Sequence, residues 1–240
     1  MAIPDNTPIL VGVGQQTWHQ SDASRTPIDA LHEASARAIA DTHCKRITDA
    51  IDTVAMVRFI ADTTPAISAL FPRNPGSALA QRLGIDAAAI FQGTIGGNTP
   101  QYLVNHFAGK LARGEHSAVL LTGAELLATL FSVLRSGEDI SAWADAGTEP
   151  PTVGVEREGH TAADNPLAWR PEFQTAQQIR TVEKRNRYIG YPYTRAMNPV
   201  LEVDMAAAVI MTTVGKAREL GIDEHNWIYL HAGADVNDIW

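Results

Sequence analysis

The stretch AAAIFQGTIGGNTPQYLVNHFAGKLARGEHSAVLLTGAE, residues 87–125, decides the fold. An apolar run over 87–95 is cut by Gly96-Gly97, and a second apolar run closes the stretch over 117–125. Between them Leu103, Val104, Phe107, Ala108 and Leu111 recur at helical spacing. The reading is strand, tight turn, a helix from Asn98 to Gly114 with Thr99 as cap and Pro100 at its first position, then a buried strand. Strands alternating with helices of this length are crossover units, so the chain is predicted to be a layered α/β protein.

The same pattern extends to both sides. PILVGVG (8–14) reads as a strand covered on both faces, and Thr26-Pro27 opens a helix carrying Ile28, Leu31, Ser35, Ala38, Ile39 and Thr42 on one side. IDTVAMVRFI (51–60) reads as a strand and Gly76–Leu83 as a short helix stopped by Gly84. Periodicity dissolves from about Leu126 to Ala196, which reads as an inserted loop region with short helices. Order returns with the strand VDMAAAVIMTT (203–213), the helix VGKARELG (214–221) and a last strand, WIYLHAGAD (227–235). That last strand either opens a further strand-helix set or forms a C-terminal edge.

With 240 residues, 45% of them hydrophobic, the chain is large enough to bury most of its core without disulfides. Its one cysteine, Cys44, reads as an ordinary surface or half-buried thiol. Nineteen Lys and Arg against 27 Asp and Glu give a net charge of −8, which argues against nucleic acid as a partner. No apolar run is long enough for a membrane span, and MAIPDNTP is not a secretion signal, so the expected compartment is the cytoplasm.

Gly12-Val13-Gly14 after a strand matches part of a dinucleotide-binding glycine loop, but Thr17 holds the place of the third glycine. It reads either as a strand end or as the basis of a nicotinamide-dependent oxidoreductase. Gly96-Gly97-Asn98-Thr99-Pro100 lets a ligand approach the backbone at a helix N-terminus, whose free N–H groups suit a thioester oxygen, a carboxylate or a thiolate. The alternative is a plain strand-to-helix turn. The eight histidines do not form a ligand set: His32-Glu33 lacks a second histidine at metal-binding spacing, and His43 and His116 sit at helix ends. His106, beside Asn105, is expected on a solvent-facing helix edge or aimed into a pocket. Neither a metal ligand nor a catalytic side chain is assigned.

The frame TIGGNTPQ (94–101), LARGE (111–115) and LLTGAE (120–125) resembles the thiolase superfamily, as do PILVGVGQQT (8–17) and the segment MNPVLEVDMAAAVIMTTVGKARELGI (197–222). GGNTPQ and GYPYTRAMN are similar to strings in bacterial thiolase-like proteins usually named acetyl-CoA acetyltransferases, relatives of the sterol-carrier type. The resemblance implies a thiolase-like layered fold with a five-stranded, mostly parallel mixed sheet and helices on its faces. It divides the chain into a core over 1–125, an inserted loop region over 126–196, a return of the core over 197–222, and over 223–240 the first strand of an incomplete C-terminal half.

The resemblance also implies acyl-CoA as ligand, no bound cofactor other than the CoA ester itself, and a place in lipid metabolism. Gly96, Gly97, Asn98 and Thr99 fall at its thioester-facing turn, with Tyr193 and Asn198 as further pocket walls. The family's nucleophilic cysteine falls on Gly97, where no side chain exists to be acylated. The family's activating histidine and second cysteine come from a C-terminal half. Two functions follow. One is a thiolase-like acyltransferase with altered or lost activity, working by acyl transfer or by retro-Claisen or retro-aldol cleavage through an enolate. The other is a non-catalytic acyl-CoA binding or assembly subunit completed by another chain. A homodimer through residues 87–95, or a second chain supplying the C-terminal half, is the expected partner.

Overall fold

Six strands form one central sheet in the computed structural model, which describes residues 3–60, 74–136, 165–169, 172–198 and 200–236. They are β1 (Pro8–Thr17), β2 (Ile51–Met56), β3 (Ala89–Gln92), β4 (Ala118–Leu126), β7 (Asp204–Thr213) and β8 (Ile228–Tyr229). A separate hairpin joins β5 (Tyr188–Gly190) to β6 (Tyr193–Thr194). The order across the sheet is β3-β2-β4-β7-β1-β8. β2 runs parallel to β3 and to β4, whereas β7 lies antiparallel between β4 and β1, so β1 to β4 share one direction.

Among the described residues the helices are α1 (Pro27–Asp41), α2 (Ile47–Ala50), α3 (Pro75–Leu83), α4 (Thr99–Ala112), α5 (Leu127–Ser136), α6 (Ala176–Arg180) and α7 (Val214–Leu220). On one face of the sheet Ile28, Leu31, Ala34 and Ala38 of α1 pack with Val11, Val54, Leu120 and Ile210. On the other, Leu103, Phe107 and Leu111 of α4 pack with Ala55, Val119, Leu121 and Met211. β4 is apolar almost throughout because both of its faces are covered. The start of α1 follows from its sequence: the Thr26 hydroxyl accepts from the Asp29 amide at 3.2 Å, the Asp29 carboxylate accepts from the Thr26 amide at 2.8 Å, and Pro27 needs no partner.

Gly12 and Gly14 lie inside β1, which continues to Thr17, and not in a phosphate-binding loop. A register shift between Leu10 and Gly12 turns both glycines toward α1. A Cβ on Gly12 would meet the Ala38 carbonyl oxygen at 2.3 Å, and one on Gly14 the Ala34 carbonyl oxygen at 2.1 Å. The pair therefore lets a helix rest directly on the backbone of a strand, and a nicotinamide-binding reading loses its basis.

Several expectations change in detail. Among the described residues the sheet has six strands and not five, because β8 pairs antiparallel with β1 through Ile9–Tyr229 and Leu10–Ile228. β2 ends at Met56, and β3 is only four residues long. Thr99 is the first residue of α4 and not its cap; Asn98 holds the cap position without a side-chain hydrogen bond. The expected loop region opens with α5, directly continuous with β4, and much of it, residues 137–164, lies outside the described residues. Among the described residues, no helix is long and apolar enough to cross a membrane.

Candidate functional site

The turn that ends β3 is built around close backbone contact. The Gly93 amide donates to the Met56 carbonyl at 2.7 Å, and a Cβ on Gly93 would come within 2.9 Å of the Thr99 methyl, so α4 begins immediately over the strand end. Gly96 has φ of 151°, where a side chain is strained, and its carbonyl accepts from the Thr99 amide at 3.0 Å. The Thr99 side chain is buried and meets the Thr94 hydroxyl at 3.2 Å. Gly97 and Asn98 are exposed. The result is a helix N-terminus with no capping side chain, its dipole end facing an accessible double-glycine turn. The Thr99 amide is already taken by the Gly96 carbonyl and Pro100 has no N–H, so an anionic or carbonyl oxygen placed there would meet the Gln101 amide and the positive end of the helix dipole.

The side chains along α4 divide sharply. Asn105 accepts from Gln101 at 2.9 Å and donates to Asp235 at 3.0 Å, tying the C-terminal segment to the helix. His106 turns inward, stacked on Phe91 at 5.3 Å and Tyr102 at 5.6 Å and edge-on to Phe107 at 5.0 Å. Its Nε2 is buried and has no hydrogen-bond partner among the described residues. Burial, followed by the Lys110 and Arg113 charges, holds its pKa below the usual imidazole value.

Tyr193 and Asn198 lie on and beside the β5–β6 hairpin. Tyr193 is exposed, and the Asn198 side-chain amide donates to the Thr194 carbonyl at 2.6 Å. Among the described residues, no hydrogen bond or ring contact joins either one to the Gly96-Gly97 turn. The structure therefore brings Gly96, Gly97, Asn98 and Thr99 together and sets the other two on a separate element. The Cys44 thiol lies half-buried 3.4 Å from the Leu220 carbonyl, far along the chain from this turn. His116 Nδ1 is 2.9 Å from the Thr53 hydroxyl. No cluster of metal-ligating side chains occurs among the described residues.

Two buried carboxyls escaped the sequence reading. Glu125 is fully buried, and neither of its oxygens has a well-formed hydrogen bond among the described residues, although the Ile60 amide faces it. Burial pushes its pKa well above the ordinary carboxylate value, and the Asp204 charge adds to the rise. Val119 and Leu121 point at α4, and the unbroken β4–β7 register gives Glu125 the same face. It sits toward the strand end from which the turn emerges, two strand spacings or about 10 Å across the sheet. Asp204 is also fully buried, and burial raises its pKa against the pull of Thr129. The only sequence signal for Glu125 was an acid closing an otherwise apolar strand.

No family model matches this chain, and no curated protein matches it. Solved structures do. A monomeric SCP2-thiolase-like protein from Mycobacterium smegmatis superposes with a TM-score of 0.66 at 28% identity, over 95% of this chain and 50% of that one. An Ltp2–ChsH2(DUF35) aldolase follows with 0.57 at 17% identity, over 90% of this chain and 58% of that one. Human mitochondrial 3-ketoacyl-CoA thiolase gives 0.53 at 12% identity, over 94% of this chain and 69% of that one. The chain thus spans about half the length of the first of these proteins.

Proposed function

We propose, on the premise that this chain is a relative of the thiolase superfamily, that it binds acyl-CoA thioesters at the Gly96-Gly97 turn and handles them without a covalent cysteine. The observation that carries the reading is the uncapped N-terminus of α4 behind that turn. The Gln101 amide and the helix dipole there suit the oxygen of a thioester carbonyl, and suit it better once it bears charge as an enolate. Asn98 and Thr99 line the turn, and Tyr193 and Asn198, on and beside the hairpin, are assigned as further walls of the ligand site. The neighbouring 3-ketoacyl-CoA thiolase, also solved in complex with CoA, supports this ligand class.

In the frame that resembles the superfamily the nucleophile position falls on Gly97, and on this reading the chemistry does without an acyl-enzyme. What remains is acyltransferase-type or carbon–carbon cleavage chemistry through an enolate, in cytoplasmic lipid metabolism. The same glycine favours a second reading, a non-catalytic acyl-CoA binding subunit completed by another chain. Among the described residues the outer edge of β3 has no neighbouring strand, which leaves room for a second copy to pair there. Exchange of the acetyl protons of acetyl-CoA in deuterated water separates the readings. Catalysed exchange supports the enzyme, saturable binding without exchange supports the binding subunit, and neither result overturns both.

A further inference from the structure

The β5–β6 hairpin gathers cations and rings on a chain that is otherwise acidic. Residues 180–197 hold Arg180, Lys184, Arg185, Arg187 and Arg195 against a single carboxylate, Glu183, in a protein of net charge −8. All five cations are exposed, and among the described residues none forms an ion pair. Between them Tyr188 is 44% exposed, Ile189 51%, Tyr191 85% and Tyr193 58%. The Tyr188 and Tyr191 rings already pack edge-on at 5.6 Å.

The base of the hairpin is as ordered as its tip is bare. Asn186 is buried; its amide group donates to the carbonyls of Gln178, Ile179 and Thr181, and its oxygen accepts from the Ala196 amide at 2.8 Å. Thr194, fully buried, donates to the Ile179 carbonyl at 2.6 Å. Polar groups that hold the loop together face inward, and the apolar and cationic ones face out. Presenting them to a partner therefore needs little further ordering of the backbone.

We infer that this hairpin is a docking surface for an anionic lipid bilayer. Its charge is opposite to that of phosphate-bearing headgroups, while the body of the chain is repelled by them, which fixes orientation. Tyrosine rings on a narrow tip suit the headgroup level of a membrane, with the arginines and Lys184 reaching phosphates around them. The hairpin strands are only three and two residues long, and a standard protein–protein interface takes about 800 Å² per partner. A shallow membrane insertion needs no such area.

The test is co-sedimentation of the full chain with vesicles of phosphatidylcholine alone and with about one-third phosphatidylserine. Binding is expected only to the anionic vesicles, weakening as salt is raised. The double variant Lys184→Glu, Arg185→Glu is expected to bind at least about 30-fold more weakly. Tyr191→Ser with Ile189→Ser should weaken binding while keeping its salt dependence. These side chains are exposed, and unchanged melting temperatures establish that the variants fold. Equal binding to both vesicles, no binding to either, or binding that survives the double charge reversal overturns the inference. So does capture by polyglutamate without capture by vesicles, which assigns the hairpin to an acidic protein.

Discussion

Asp204, the first residue of β7, accepts hydrogen bonds from both the amide and the hydroxyl of Thr129, at 3.1 and 2.6 Å. Thr129 lies in the first turn of α5, so a strand caps a helix that grows from the neighbouring strand. Both residues are fully buried. Thr129→Val removes the hydroxyl donor and leaves the carboxyl less satisfied, which is expected to lower stability by about 1–3 kcal/mol in urea unfolding.

Gly12 and Gly14 are predicted to be intolerant for a reason unrelated to ligands. A methyl at either position meets a carbonyl oxygen of α1 within 2.3 Å, and the helix must move to accept it. Gly12→Ala or Gly14→Ala should cost roughly 3 kcal/mol or more, whereas Gly190→Ala, with nothing within 4 Å, should stay within about 0.5 kcal/mol. Chemical denaturation of the three variants checks the ranking.

These two cases mark what a sequence can disclose. The continuous apolar run of β4 and the Thr26-Pro27 start of α1 announce themselves, because burial on both faces and helix capping are local in the chain. The role of Gly12 and Gly14 is not local: it depends on where α1 comes to rest over β1. Likewise, the pairing of β8 with β1 joins residues more than 200 positions apart, and no local pattern encodes it. At the site, the double glycine and the helix after it were legible. Glu125 was not, since its relation to the turn is set by the strand order, with β2 standing between β3 and β4.

Glu125 makes a pH prediction. Its folded-state pKa is raised by burial, while in the unfolded chain it is about 4.3. The folded form therefore keeps a proton that the unfolded form releases, so its contribution is present below the unfolded pKa and is lost as pH rises toward and through the folded value. Glu125→Gln removes this dependence. Unfolding free energies measured across that range should show the variant gaining on the wild type as pH rises; parallel curves would mean that Glu125 is ionised in the fold.

His106 offers a simpler check. Its ring packs between Phe91 and Tyr102 with an Nε2 that has no hydrogen-bond partner among the described residues, and its lowered pKa means that protonation opposes folding as pH falls through the ordinary imidazole range. His106→Phe keeps the ring stack and removes the buried nitrogen. Stability at neutral pH is expected to be unchanged or higher by about 1 kcal/mol, and less sensitive to acid, in thermal melts at pH 5 and 7.

Calorimetric titration of the chain with acetyl-CoA reaches the central claim most directly. Saturable binding is expected, together with its loss in Gly96→Val, since a side chain there is strained at φ of 151° and its Cβ meets the Asn98 side-chain oxygen at 2.6 Å. Absence of binding at ~1 mM ligand, or affinity unchanged in a folded Gly96→Val variant, would contradict a thioester site at this turn.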